Sequence, residues 1–219
     1  MTVRPIVLLT VACALGLCGS AAAAQIQTDR ACYATPSKGT VSVLVSANGL
    51  DPSQPYTLKN DGKTVASGTT DATGAITTTV NVARLNAGHN SSTHALVLTE
   101  GANTATTSFG VARVTATFSP SVGDPAHLRV RFSGTGFALQ KPSPPIYLHE
   151  VDPAGHVART VSLGRATGPC GTFRTKKTQK LFSKPPRHGR WRLQFDTSRT
   201  YRRGAPSFLY YAIEVTVSR

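Results

Sequence analysis

Basic side chains are concentrated in one stretch of the chain. Residues 168–203 contain eleven basic residues, a single acid, Asp196, and the only tryptophan, Trp191. Cations crowded beside so few acids are typical of a site for an anionic polymer, because lysine and arginine replace the polymer's condensed counterions. We therefore predict that the following residues contact such a polymer: Arg174, Lys176, Lys177, Lys180, Lys184, Arg187, Arg190 and Arg192.

The charge is divided unequally between the two halves of the chain. The protein has 219 residues and a formal net charge of +14. Residues 25–111 carry five basic and five acidic side chains, whereas residues 112–219 carry 18 basic and five acidic side chains, a formal charge of +13. A partner attracted by charge would therefore meet the second half. The alternative interpretation is a solvated surface that keeps an exported protein soluble.

Residues 1–24 have the plan of a secretory signal peptide. Arg4 precedes an apolar run over residues 6–17, and a run of alanines ends at Ala24. The apolar run is shorter than the roughly 20 residues of a membrane span. We expect cleavage after Ala24, no transmembrane anchor, and a secreted, extracellular or envelope-associated protein. A lipoprotein leader is less favoured, because Leu17 precedes Cys18 where a small residue is expected.

The four cysteines fall into two pairs. Cys13 and Cys18 lie in the leader, so we expect both to be removed with it. Cys32 and Cys170 remain, and an even pair in an exported protein is more often a disulfide than a metal or catalytic site. We predict a bridge between Cys32 and Cys170. In the chain-entropy model a loop of this length contributes about 4 to 5 kcal/mol to stability.

The sequence lacks the common patterns of catalysis and metal binding. Its six histidines include no H-x-H or H-E-x-x-H pattern, and there is no G-x-S-x-G motif. His149 and Glu150 are neighbours in a predicted strand, so their side chains should point to opposite faces. Trp191, Leu193 and Phe195 share one face of a predicted strand, which predicts a core aromatic rather than a carbohydrate platform. We expect no enzyme activity, no cofactor and no metal; a hydrolase of envelope polymers is a third hypothesis.

Short alternating segments predict an all-β protein. Val41, Val43 and Val45 share one face of such a segment, and turns rich in Gly, Pro, Asn and Asp separate one segment from the next. No amphipathic helix is indicated. In the second half the positions between apolar residues are often arginines, such as Arg129 and Arg131. Several short strands at this spacing favour a sandwich or a small barrel.

Two segments of the chain align without gaps. Residues 40–50 and 127–137 each read as an alternating strand, a serine, a glycine turn and one large apolar residue. Shortly after each segment, a proline precedes a strand containing Tyr56 or Tyr147, and aspartate and glycine follow. The repeat predicts two copies of one unit, residues 25–111 and 112–219.

These repeated motifs, together with GTTDATG at residues 68–74, resemble bacterial immunoglobulin-like domains of exported surface proteins. Residues 146–149, 159–165, 168–171 and 191–197 are similar to the C-terminal module of two-domain secreted proteins of high-GC bacteria. The resemblance implies two tandem immunoglobulin-like β-sandwich domains after the signal peptide. It implies no catalytic residue.

We therefore expect a non-enzymatic exported module whose second domain contacts an anionic envelope polymer or acidic surface through a basic face. Export favours teichoic acid, acidic polysaccharide or anionic lipid headgroups over nucleic acid. The alternative is a structural or adhesion module that binds another surface protein, with the charge incidental. Salt distinguishes the two hypotheses, because charge-driven binding weakens steeply with salt and an apolar interface does not.

Overall fold

The chain forms strands where its sequence alternates. A computed structural model describes residues 23–203 and 209–215, with the backbone alone for 209–214. Within these ranges there are sixteen strands and no helix, which confirms the all-β prediction. The predicted signal peptide lies, up to residue 22, outside the described residues.

The first half of the chain builds two sheets around one core. Its strands are β1 (Gln25–Thr28), β2 (Cys32–Ala34), β3 (Thr40–Asn48), β4 (Pro55–Asn60), β5 (Lys63–Thr69), β6 (Ile76–Ala83), β7 (Ser91–Glu100) and β8 (Asn103–Ala112). The sheet orders are β1-β3-β6 and β2-β8-β7-β4-β5, and β2 and β8 run parallel. Val43 of the first sheet and Leu58 and Leu96 of the second are fully buried in one hydrophobic cluster.

The second half builds two further sheets. Its strands are β9 (Thr115–Ser119), β10 (Arg129–Thr135), β11 (Pro145–Val151), β12 (Val157–Arg165), β13 (Phe173–Arg174), β14 (Gln179–Lys180), β15 (Gly189–Asp196) and β16 (Leu209–Val215). In one sheet β10 pairs with β9, β13 and β14; the other has the order β12-β11-β15-β16. The buried rings of Phe132 on β10 and Phe195 on β15 lie 5.8 Å apart, so the apolar sides of these sheets face each other.

The two aligned sequence segments occupy equivalent positions in these sheets. Residues 40–50 contain β3 and residues 127–137 contain β10. Gly49 and Gly136 both have positive φ, 73° and 85°, in the left-handed region that favours glycine, and Leu50 and Phe137 after them are both buried. In addition, β4 pairs with β5 and β7 as β11 pairs with β12 and β15. The same pattern of strand pairing therefore occurs twice.

Trp191 is a core residue, as predicted. It is 7% exposed, its ring centroid lies 4.9 Å from that of Phe182, and its indole N–H donates to the carbonyl of Arg187 at 2.9 Å. The hydrogen bond satisfies the polar atom of an otherwise apolar side chain.

The predicted disulfide between Cys32 and Cys170 is confirmed. It connects β2 with the loop between β12 and β13, 138 residues further along the chain, and both cysteines are buried. Gly110 on β8 pairs with Cys32 and packs against the bridge. A Cβ atom at residue 110 would lie 2.2 Å from Cys170 Sγ and 3.3 Å from Cys32 Sγ. The bridge therefore occupies the space that a side chain at this position would need.

We predict that Gly110→Ala destabilises the protein by about 1 to 3 kcal/mol, the usual range for overpacking. In a Cys32→Ala/Cys170→Ala background the same substitution should cost much less, because the sulfur that it would strike is absent. Urea denaturation of the four proteins measures both costs. An equal cost in the two backgrounds would show that something other than the disulfide confines residue 110.

Candidate anionic-polymer surface

Strand β10 has one apolar and one cationic side. Val130 and Phe132 are fully buried, whereas Arg129 and Arg131 are exposed. Alternate residues of a strand project to opposite faces, so packing the two apolar residues into the core places both arginines on the outer surface of the sheet.

The neighbouring strands add cations to the same surface. Lys180 on β14 pairs with Arg129, and Arg174 on β13 pairs with Ser133. Residues opposite each other in an antiparallel pair project from the same face. The chain between β13 and β14 contributes two further exposed lysines. We call this surface the β10 face, and its cations are Arg129, Arg131, Arg174, Lys176, Lys177 and Lys180.

No carboxylate belongs to this sheet. Residues 115–119, 129–135 and 173–180 contain neither Asp nor Glu. The other outward residues of β9 are threonine and serine, such as Thr117 and Ser119, which are exposed. Like charges gathered without counter-charges repel one another, and a bound polyanion would relieve that repulsion.

The eight predicted contact residues do not form one surface. Arg190 is exposed and Arg192 half-buried on β15, between core residues. They therefore face outward from the β11–β15 sheet, on the side of the sandwich opposite the β10 face. Lys184 and Arg187 are exposed in the loop between β14 and β15. Of the predicted set, only Arg174, Lys176, Lys177 and Lys180 belong to the β10 face.

Arg129 and Arg131 belong to the β10 face but were not among the predicted contacts. Their alternation with apolar residues is visible in the sequence. Their proximity to Lys180 depends on the pairing of β10 with β14, about fifty residues away. A linear count of charge does not detect such pairing.

A partly buried ion pair holds β14 in position. Arg159 on β12 pairs with Glu150 on β11, and its Nε donates to Glu150 Oε1 at 2.8 Å. Its Nη2 also donates to Glu150, and to the carbonyl oxygens of Lys180 at 3.0 Å and Leu181 at 3.2 Å. The pair thus connects the β11–β12 hairpin to the strand that carries Lys180.

Burial also changes the titration of Glu150. Its side chain is 1% exposed, and desolvation raises its pKa from 4.5 to about 7 although Arg159 favours the charged form. His149, its neighbour in sequence, points to the other face, as predicted.

His149 belongs to a buried polar cluster that sequence analysis missed. Its Nε2 lies 3.3 Å from Asp196 Oδ1 and 3.0 Å from the carbonyl oxygen of Ser198. Both are acceptors, so Nε2 carries a proton and donates to them. Nδ1 lies 2.8 Å from the Thr160 hydroxyl oxygen. Gln194 Nε2 donates to Asp196 Oδ2 at 2.7 Å and to the carbonyl of Arg202 at 3.2 Å.

This cluster fixes the segment 197–203 over the outer surface of the β11–β15 sheet. A chain of Thr, His and Asp has the order of nucleophile, base and orienting acid. Here, however, the histidine and the glutamine also bond the carbonyls of Ser198 and Arg202, so the network accounts for the position of the segment. The Asp196 carboxylate is 5% exposed and accepts hydrogen bonds from donors inside the protein.

A separate surface cavity of about 450 Å³ is lined by six residues of the first half and by Arg113 of the second, outside the β10 face. The six are Thr35, Pro36, Ser37, Arg84, Leu85 and Ala87. The Arg84 guanidinium donates to the carbonyl of Ser37. The lining contains no carboxylate, histidine or cysteine, so it offers no acid/base pair.

The described part of the chain has neither a metal-binding cluster nor a membrane-spanning helix. No group of three or more His, Cys, Asp or Glu residues there could hold a metal ion. None of its segments forms a helix of the length and hydropathy that a membrane span requires.

Comparison with known proteins identifies no family. No protein-family model and no curated protein matches this sequence. Among solved structures the chain is similar to bovine butyrophilin, with 9% identity over 90% of this chain and all of that one, at a TM-score of 0.31. It is also similar to a red sea bream transglutaminase, with 16% identity over 88% of this chain and 31% of that one, at a TM-score of 0.31. Similarity this low carries no statement about activity.

The titration of Glu150 predicts how stability depends on pH. Its pKa is higher in the folded than in the unfolded protein, so its contribution to stability is complete below about pH 4.5 and is lost as the pH rises through about 7. We expect Glu150→Gln to flatten the decline in unfolding free energy between about pH 5 and 8.

Asp152→Asn is the matched control, because a hydrogen bond from the His156 backbone N–H lowers the pKa of Asp152 and places its titration below this range. Urea denaturation at several pH values measures both variants. If the wild-type and Glu150→Gln curves have the same slope, the proposed titration of Glu150 is wrong.

Proposed function

We propose that the protein comprises two tandem immunoglobulin-like β-sandwich domains, residues 25–111 and 112–219, exported by the signal peptide 1–24. The repeated strand pairing supports this organisation. In the first half, one sheet contains β1, β3 and β6, and the other contains β8, β7, β4 and β5. With these strands assigned as A, B and E and as G, F, C and C′, the order is that of an immunoglobulin-like sandwich.

We infer that the protein is a non-enzymatic binding module whose second domain contacts an anionic polymer. The observation that carries this proposal is the β10 face, where four cations lie on a sheet that contains no carboxylate and two more lie in the connection between β13 and β14. Arginine forks suit phosphate and carboxylate oxygens, while lysines supply mobile positive charge. An exposed sheet surface of this kind fits an extended polymer better than a small molecule.

Two acids of the second half lie away from the surface that a polymer could contact. Of its acidic residues, Glu150 and Asp196 are buried and bonded to internal donors. Asp124 and Asp152 are bonded within turns, to Ala126 N–H and His156 N–H respectively. A buried acid cannot contact a polymer, so Glu150 and Asp196 do not oppose binding at the surface directly.

The disulfide supports an exported location, because such bridges persist in oxidising compartments. In the envelope or outside the cell the accessible polyanions are teichoic acid, acidic polysaccharide and anionic lipid headgroups. We therefore propose one of these rather than nucleic acid as the partner.

We predict that Arg131→Gln/Lys177→Gln/Lys180→Gln weakens binding to purified teichoic acid about tenfold or more at about 50 mM salt. Lys38→Gln/Lys59→Gln/Lys63→Gln removes the same charge from exposed positions of the first half and should bind like the wild type. Cosedimentation at about 50 and 200 mM salt measures both variants, and wild-type binding should fall steeply with salt.

Equal losses in the two variants would mean that net charge alone, not the β10 face, drives binding. Binding that neither salt nor either variant alters would contradict the proposal. It would favour the alternative, a structural or adhesion module that binds another surface protein.

A further inference from the structure

The second half carries a second group of arginines on its other side. Arg190 and Arg192 project outward from β15, and the segment 197–203 that crosses the same surface adds exposed arginines. We call this surface the β15 face, and its cations are Arg190, Arg192, Arg199, Arg202 and Arg203.

The segment 197–203 is held by the fold. His149 and Gln194 bond its carbonyls at Ser198 and Arg202, and the Ser198 N–H donates to Asp196 Oδ1 at 2.8 Å. These three side chains are buried beneath it. The arginines of the segment therefore have a defined position on the outer surface of the β11–β15 sheet.

The sandwich separates the two faces. Packed sheets lie about 10 Å apart, and the arginine and lysine side chains of each face extend away from this core. The core between them is continuous, from Val130 and Phe132 on one sheet to Leu193 and Phe195 on the other. A polymer lying along one face cannot touch the other without passing around the edge of the sandwich, whereas two separate polymers can occupy both faces.

We propose that the second half of the protein is bivalent and that one molecule bridges two polyanion chains, one on the β10 face and one on the β15 face. This inference rests on the proposed function and adds an activity to it, the cross-linking of anionic polymers. Linking two weak sites in one molecule raises the apparent affinity for a polymer network without any new contact.

The two faces are unequal. The β10 face has six cations on and beside a sheet without acids, whereas the β15 face has five cations, of which Arg192 is half-buried. We expect the β10 face to bind more tightly, so that raising the salt concentration abolishes cross-linking before it abolishes binding.

The experiment measures binding and bridging separately, with linear polyphosphate and polygalacturonate as defined polyanions. Anisotropy of a short labelled chain reports binding, and light scattering with long chains reports bridging. For the wild type at a fixed protein concentration, scattering should rise as polymer is added and pass through a maximum. It should then fall, because with excess polymer too few protein molecules share any one chain to form a network. Binding to polyphosphate alone would identify phosphate as the recognised group, and binding to polygalacturonate alone would identify carboxylate.

Three variants of equal charge test the assignment of the faces. The first changes Arg131, Lys177 and Lys180 to Gln on the β10 face; the second changes Arg190, Arg192 and Arg199 to Gln on the β15 face; the third changes Lys38, Lys59 and Lys63 to Gln in the first half. We expect the β15-face variant to bind short chains within about threefold of the wild type and to lose at least about tenfold in scattering. The third variant should keep both activities. Urea midpoints confirm that each variant is folded.

The outcomes separate this inference from the proposed function. No binding by the wild type would overturn both. Binding without scattering, or scattering that the β15-face variant retains, would overturn bivalency and leave the β10 face as a single site. An equal loss of scattering in all three variants would attribute bridging to net charge and would also overturn the inference.

Discussion

The strands of the second half expose side chains alternately on two sides, and only one of these sides can be packed against another sheet. This constraint determines the charge distribution. Val130 and Phe132 meet Leu193 and Phe195 in the core because burying apolar area is favourable. The arginines placed between such residues in sequence are then forced outward, on one side from β10 and on the other from β15. A run of basic residues that is continuous in the chain thus becomes two separate cationic surfaces.

The same constraint explains why acids do not cancel this charge. Glu150 lies on the same core side of β11 as Ile146 and Leu148. It remains there because Arg159 donates hydrogen bonds to it. Desolvating a carboxylate is costly unless donors compensate it. Asp196 is compensated in the same way by His149, Gln194 and the backbone of Ser198. Glu150 and Asp196 thus hold a strand and a segment in place, while the cations of the two faces remain on the surface.

The period-two patterns are sufficient to predict strands, core residues and the all-β class, because these depend on neighbours in sequence. Trp191 and the Cys32–Cys170 bridge are also predictable, the first from alternation and the second because these are the only two cysteines outside the predicted leader. The grouping of the cations is not, because it depends on register between distant strands. Arg129 meets Lys180 only through β14, a strand of two residues with no sequence pattern of its own. The cluster around His149 depends in the same way on the pairing of β11 with β12 and β15.

The disulfide between Cys32 and Cys170 closes a loop that contains most of the chain. Cleavage of one peptide bond by a protease anywhere between these residues opens the backbone, yet both fragments stay joined until the bridge is reduced. Strands β3 to β12 lie within this loop, and so do exposed turns such as residues 86–89 and 120–124. In a compartment that contains proteases but little reductant, a nicked molecule would therefore retain both of its halves, and degradation would need a second cut or a reductant before any piece could diffuse away.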